Sequence, residues 1–172
     1  SARVSFGRDG GGTDLTERDK KLIKYLISHK HTSTLEHNVI TLMFEVPLYV
    51  RAQHMRHRTW SYNEISRRYT DVDLKFYEPQ SFRTQHESNR QASKNELINP
   101  TITPRFADTY IKSSDAIVAF HKHSLDLFNH LIDKGVCREQ ARGVLPQNLY
   151  TRYYGTTNLN NLLKFIHLRI HE

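Results

Sequence analysis

Apolar residues recur at helical spacing in three stretches of the chain and alternate in a fourth. Leu15, Leu22, Ile23 and Leu26 line one side of a segment that opens on DLTE, a capping box of Asp14 with Glu17, and runs to about His29. TSTLEH offers a second cap, Ser33 with Glu36. VITLMFEV then alternates, placing Ile40, Leu42, Phe44 and Val46 on one side of a strand. Pro47 suits the first turn of a helix that carries LYVRAQHM into an arginine-rich segment. The clearest periodic stretch contains Phe106, Tyr110, Ile117, Phe120, Leu127 and Leu131 and stops at Gly135. Its length of about 30 residues predicts a helix of about 45 Å, the spine of the domain.

Shorter elements complete the pattern. CREQARGVLP predicts a short helix before Pro146, NLYTRYY a strand, and TTNLNNLLKFIHLRIHE a final helix capped by Thr157 or Asn158. Residues 78–104 are polar and hold three of the five prolines, which predicts a loop region with a short helix near 90–98. The expected class is α+β: mixed helices around a small, mainly antiparallel sheet, with one long central helix. The strands are too few and too scattered for a Rossmann sheet. Residues 1–172 read as a single domain with no internal repeat.

The last helix contains a misfit. Leu159, Leu162, Leu163, Phe165, Ile166 and Ile170 fall on one arc, and Asn160, Lys164, His167 and His171 fall opposite. Arg169 lands inside the apolar arc. Such an arginine needs an anionic partner, or it packs its stem and sends its head to water. Periodicity leaves both open.

Charge changes the picture more than composition does. The chain has 172 residues, 37% of them hydrophobic, a mean hydropathy of −0.67 and a net charge of +7. No apolar run is long enough to span a bilayer. A single cysteine, Cys137, excludes an internal disulfide framework and makes a reducing, cytoplasmic location the expectation. Between positions 51 and 68 stand five arginines, Arg51, Arg56, Arg58, Arg67 and Arg68, against one acid, Glu64. Arginine offers a planar fork that grips phosphate or carboxylate at two points, so this segment points to an anionic ligand.

Other chemistry is weaker. The eleven histidines include His54 and His57 at i,i+3 and His167 and His171 at i,i+4. Their pairs fall mostly on polar faces with no converging acids, so no metal site is expected. Cys137 lacks a histidine or asparagine arrangement, and Ser61 and Ser66 lack a nucleophile elbow. The glycines of GRDGGGTD follow no strand, which makes that loop poor evidence for phosphate binding.

The segment RHRTWSYNEIS, with Arg56, His57, Arg58 and Ser66, resembles the signature of the flavin-dependent thymidylate synthases. The resemblance extends over most of the chain. SARVSF resembles that family's start, TSTLEH its Thr-Pro-x-Glu-His segment, RAQHMRHR its Arg-Gln-x-x-Arg-His-Arg entry, and REQARGVLPQNLYTRYYGTTNLNNLLKFIHLR its C-terminal block. It implies the family's fold and an enzyme that methylates dUMP to dTMP. Methylenetetrahydrofolate would supply the carbon and reduced FAD the hydride, NADPH would re-reduce the flavin, and no enzyme cysteine would attack the base.

By position, the resemblance implies that Gln53, Arg56, Glu64, Ser66, Arg67, Arg68, Arg142 and Arg169 bind dUMP, with Arg68 a better phosphate ligand than a solvent-facing Arg67. It implies FAD contacts for His31, Ser33, Arg56, His57, Arg58, Asn158, Asn160 and Lys164. It gives Arg169 the catalytic task of polarising the uracil ring, so the misfit's partner would be the substrate. It also implies a homotetramer with shared sites and no nucleic-acid or membrane partner.

Thr34 stands where the family has proline, and the family's flanking elements before SARVSF and after LRIHE are not seen, which reads as truncation at both ends. The alternative is a basic nucleic-acid-binding module, for which a pI of 9.6 and arginines interleaved with Trp60, Tyr62 and Tyr69 speak. A further alternative is a flavoprotein that oxidises NADPH without transferring a methyl group.

Overall fold

The longest helix shows how this chain sorts its faces. In the computed structural model, which describes residues 14–71, 73–103 and 109–170, α3 spans Ser113–Asp133. It starts later than the apolar spacing predicts, because Ile111–Lys112 pairs as a strand with Thr101–Ile102. Phe106 lies outside the described residues. The buried face is not the predicted one either. Phe120 and Leu127 are 50% and 44% exposed, while Ser114, Ala116, His121, Ser124 and Phe128 are buried. The polar members are paid for by partners: Ser124 donates to the Val144 carbonyl at 2.7 Å, and Asn99 donates to Ser114 at 2.9 Å. His121 stacks on Phe76 and lies 3.3 Å from Glu78. The helix ends as expected, with Gly135 at φ 84° and the Val136 N–H on the Leu131 carbonyl at 2.9 Å.

The remaining elements, in chain order, are α1 (Glu17–Ser28), a 3-10 turn (Thr32–Leu35), β1 (Val39–Pro47), α2 (Leu48–His54), β2 (Ser61–Glu64), β3 (Phe82–Gln85), β4 (Ser93–Ile98), β5 (Thr101–Ile102), β6 (Ile111–Lys112), then after α3 α4 (Arg138–Ala141), a 3-10 turn (Arg142–Val144), β7 (Tyr150–Asn158) and α5 (Leu159–His167). The chain is α+β. Its larger sheet has the order β1–β7–β2, and β3–β4 and β5–β6 are two-stranded and antiparallel. The described part of 78–104 is therefore not a loop with a helix near 90–98: it carries strands β3 and β4, and β4 takes Ser93–Ile98. No described helix is long and apolar enough to cross a membrane.

Contacts divide the described residues into two compact units, 14–44 with 54–63 and 153–170, and 45–53 with 64–152. The core of the second unit is Phe128, Ala141, Leu145 and Leu149, flanked by Leu48, Leu125, Leu131 and Phe76. Pro47 closes β1 instead of opening α2.

In the first unit α1 takes its cap two residues later than Asp14 and Glu17. Thr16 has extended backbone and accepts from the Asp19 N–H at 3.2 Å, while Asp19 accepts from the Thr16 N–H at 2.9 Å. Leu22, Ile23 and Leu26 are half-buried and Leu15 is exposed. The Ser33–Glu36 cap does not form. The turn there has no side-chain cap, and Glu36 accepts from Asn160 Nδ2 at 3.0 Å. On α5 Asn158 is the cap, accepting from the Asn161 N–H at 2.9 Å, because the Thr157 hydroxyl is committed to the Thr59 carbonyl at 3.1 Å.

β7 alternates cleanly: Thr151, Tyr153, Gly155 and Thr157 are buried, Arg152 and Tyr154 exposed. A Cβ at Gly155 would lie 3.0 Å from Phe44 Cε2 and 3.2 Å from Trp60 Cε3. Both rings are packed on further rings, so neither can yield freely. Gly155→Ala is expected to destabilise the fold by about 1–3 kcal/mol. A urea unfolding midpoint equal to that of the wild type would contradict this packing.

Candidate functional site

The first unit is built on a cluster of rings. Phe44 stacks on Tyr153 at 5.2 Å between centroids. His54 lies 4.8 Å from both Trp60 and Phe165 and 5.4 Å from Tyr62. Its Nδ1 shares a hydrogen with the Tyr153 hydroxyl at 2.7 Å, while its buried Nε2 has no hydrogen-bond partner. Burial first, then His57 and Arg169, lower the pKa of His54 to about 4. His54 thus stays neutral inside the cluster, contrary to the expectation of histidine pairs on polar faces. The Tyr62 hydroxyl donates to the carbonyls of His54 at 2.9 Å and His57 at 3.1 Å and fixes the loop between them.

Arg169 caps this cluster. α5 ends at His167, so Arg169 lies beyond the helix and not on its apolar arc. Its guanidinium sits 3.7 Å above the centroid of Phe165, donates to the Phe165 carbonyl at 2.9 Å, and donates to His57 Nε2 at 2.9 Å. Arg169 is nonetheless exposed. The misfit is resolved by an aromatic face below and solvent exposure, with no acid in its bonds among the described residues.

The other residues implied to meet FAD are also in this unit. His31 and Ser33 are exposed at the 3-10 turn, Arg56 and Arg58 are exposed on either side of half-buried His57, and Lys164 is exposed on α5. Asn158 and Asn160 are spent on structure, the first as helix cap and the second, buried, as the partner of Glu36.

The second unit holds a cleft of about 430 Å³ lined by Arg51, Glu64, Arg67, Arg142 and Tyr150 among others. Arg51 grips Glu64 with Nε at 3.0 and 2.9 Å and with a second nitrogen, and Thr151 donates to Glu64 at 2.6 Å. Both carboxylate oxygens are occupied, which makes Glu64 a fixed wall of the cleft. Arg67 is half-buried, not solvent-facing. It donates to the carbonyls of Tyr150 at 3.4 Å and Asp73 at 3.5 Å, and burial lowers its pKa. Arg68 is exposed and lies over Tyr69. Half-buried Ser66 folds its own turn, accepting from the Arg68 N–H at 3.4 Å. Arg142 is exposed at the cleft, and Gln53 is exposed on α2.

Sequence reasoning missed Arg51 and Thr151 as the holders of Glu64, and His54, Tyr153 and Phe165 as the support of Arg169. The spacing of Phe165 and Arg169, four apart, was a readable signal. Trp60 is core. Cys137 is exposed and precedes α4. Among the described residues no cluster of three potential metal ligands forms.

Comparison with known proteins bears on these arrangements. The family model described as thymidylate synthase complementing protein matches residues 1–172. A flavin-dependent thymidylate synthase of Thermus thermophilus is 39% identical over 173 residues, covering 99% of this chain and 58% of its own length. One from Thermosipho africanus is 36% identical, covering 98% of this chain and 69% of its own. The chain thus spans little more than half of the Thermus relative. Among solved structures, the UMP/dUMP methylase PolB of Streptomyces cacaoi, crystallised with 5-Br dUMP, superposes with a TM-score of 0.76 at 30% identity, over 99% of this chain and 71% of that one. The chain belongs to the flavin-dependent thymidylate synthase family.

Proposed function

We propose that this chain forms the catalytic part of an enzyme that methylates dUMP to dTMP, with methylenetetrahydrofolate as carbon donor and no cysteine nucleophile. The observation that carries the reading is Arg169, an exposed guanidinium lodged on a ring and, among the described residues, bonded to neutral acceptors only. A cation held this way can turn its charge on the carbonyl of an incoming pyrimidine, where negative charge develops as the ring accepts a hydride. The names of the relatives and of the Streptomyces structure support the flavin and the nucleotide.

The first unit's donors fit FAD. Arg56, Arg58 and Lys164 are exposed cations suited to its phosphates, and His31, Ser33 and His57 add smaller polar groups. When bound, reduced FAD would supply the hydride, and NADPH would restore it. The chain's own work is to orient the partners and to hold Arg169. For dUMP, the reading assigns Arg56 and Arg169 in the first unit and Gln53, Glu64, Ser66, Arg67, Arg68 and Arg142 in the second. It further takes residues 1–172 as part of one catalytic domain, working as a cytoplasmic homotetramer with shared sites.

Glu64 is immobilised and Arg67 is half-buried against carbonyls, so of the arginines assigned to dUMP in this unit the exposed ones, Arg142 and Arg68 with its guanidinium on Tyr69, are placed to meet a phosphate. Arg68→Ala is expected to weaken dUMP binding by tenfold or more, about 1.4 kcal/mol. Arg67→Ala is expected instead to cost about 2 kcal/mol of stability through its half-buried bonds. Calorimetric titration and urea unfolding of both variants test this pair. Equal dUMP affinity in Arg68→Ala and wild type would remove the phosphate role. Failure of the wild-type protein to bind dUMP at all would remove the reading.

A further inference from the structure

His57 belongs to the arginine-rich signature, where the resemblance gives it a flavin contact only. The structure gives it a second duty. We propose that His57 positions Arg169: its neutral ring, with the proton on Nδ1, turns the Nε2 lone pair to the guanidinium and holds it flat on Phe165. That Arg169 acts on the pyrimidine rests on the reading above; the hold itself does not.

The tautomer follows from donor chemistry. Arginine has five N–H donors and no acceptor. The 2.9 Å contact between Arg169 and His57 Nε2 is therefore a hydrogen bond only if Nε2 carries no proton. A neutral imidazole must then carry its proton on Nδ1. Three contacts define the guanidinium plane: the bond to His57, the bond to the Phe165 carbonyl at 2.9 Å, and the Phe165 ring 3.7 Å below. Only the first is supplied from outside the α5 segment. Without it, Arg169 hangs from its own helix end and can swing.

His57 itself is anchored. Its N–H donates to the His54 carbonyl at 3.0 Å, and its carbonyl accepts from the Trp60 N–H at 3.3 Å and the Tyr62 hydroxyl at 3.1 Å. Its ring meets the edge of Phe165 at 5.0 Å. The titratable and charged groups around it are Arg169, the His54 ring at 6.1 Å, the Tyr62 hydroxyl, and Arg56 and Arg58 on either side in the chain. No acidic side chain bonds to it among the described residues. A proton on His57 would remove the acceptor and set two cations side by side. Burial, then Arg169, lower the pKa of His57 accordingly. The hold is present at neutral pH and is released by acid.

The test is direct. The full-length, ligand-free protein labelled with ¹⁵N-histidine is titrated between about pH 5 and 9, with His57 assigned by its loss in His57→Gln. The expected result is the Nδ1–H tautomer at the alkaline end and a midpoint below the usual 6.5. In Arg169→Gln the ring is expected to return to Nε2–H and its midpoint to rise. A wild-type Nε2–H ring, or a midpoint indifferent to Arg169→Gln, overturns the proposal. In turnover at saturating FAD and dUMP, His57→Leu is expected to lose about 100-fold in kcat, the cost of a misplaced group, with KM for dUMP little changed. His57→Gln, whose Oε1 can accept in place of Nε2, is expected to recover most of that loss; equal loss in both variants also overturns the proposal. Absence of dTMP formation by the wild type would remove the functional reading while the spectra still decide the hold.

Discussion

Arg169→Ala is expected to lower dTMP formation by about 10²–10³-fold, the usual cost of removing one preorganised group that faces developing charge. The fold is expected to tolerate the change. Arg169 is exposed and follows the last turn of α5, and an exposed cation over a ring contributes only about 0.5–1 kcal/mol. Bound flavin is expected to stay, since the exposed cations of Arg56, Arg58 and Lys164 are untouched. Turnover, the visible spectrum of the purified variant and its thermal midpoint separate these quantities. Near-normal turnover would refute ring activation by Arg169. A collapse of the midpoint would show that Arg169 is structural.

The second large effect is on stability in acid, through His54. The ring is buried with a pKa of about 4, against 6.5 for an ordinary histidine. Above pH 6.5 it is neutral folded and unfolded, and contributes no pH dependence. Below 6.5 the unfolded chain takes up a proton that the folded chain refuses, so stability falls with pH until about 4, where both forms are protonated. The loss over that window is on the order of 3 kcal/mol. Carboxylates add their own acid slope, so the informative quantity is the difference between wild type and His54→Gln. The variant is expected to start less stable, having lost ring packing, but to lose less between neutral pH and pH 4. Parallel urea profiles for the two proteins would contradict a neutral, buried His54.

The sequence carried the parts of this fold that follow from water on one side. β1, the helix beside Pro47 and the Asn158 cap of α5 each follow from a local signal, although Leu42 on the expected inner side of β1 is 40% exposed and Pro47 ends that strand; β7 buries Thr151, Gly155 and Thr157, which no apolar alternation marks. β3 is only four residues long, half-buried at Phe82 and Thr84, and β4 is largely exposed, reading Ser93 to Ile98 with only Lys94 half-buried, so no alternation marks either as a strand. α3 was misread on its face, since His121 and Ser124 are buried through partners far along the chain, which periodicity cannot foresee. Phe76 stacks on His121, 45 residues away in the chain, and Tyr69 is 77% exposed.

The site was legible as a list and not as an arrangement. The arginine-rich signature named His57 and Glu64, and the C-terminal block named Arg169, but who holds them depended on long-range contacts. Glu64 is fixed by Arg51 and Thr151, 13 and 87 residues away, and Arg169 meets His57 across 112 residues. His54 looked like one of a polar pair because its helix is short and its burial comes from Phe44, Trp60, Tyr153 and Phe165, elements distant in the chain.

The account centres on hydride delivery to a pyrimidine held by Arg169, with no thiolate adduct. Its most direct test follows deuterium at C5 of labelled dUMP in the full-length enzyme supplied with FAD, NADPH and methylenetetrahydrofolate. The account predicts that label is lost in step with dTMP formation and that Cys137→Ala behaves as wild type. NADPH consumed while the label stays on the base, or a covalent pyrimidine recovered on Cys137, would contradict it.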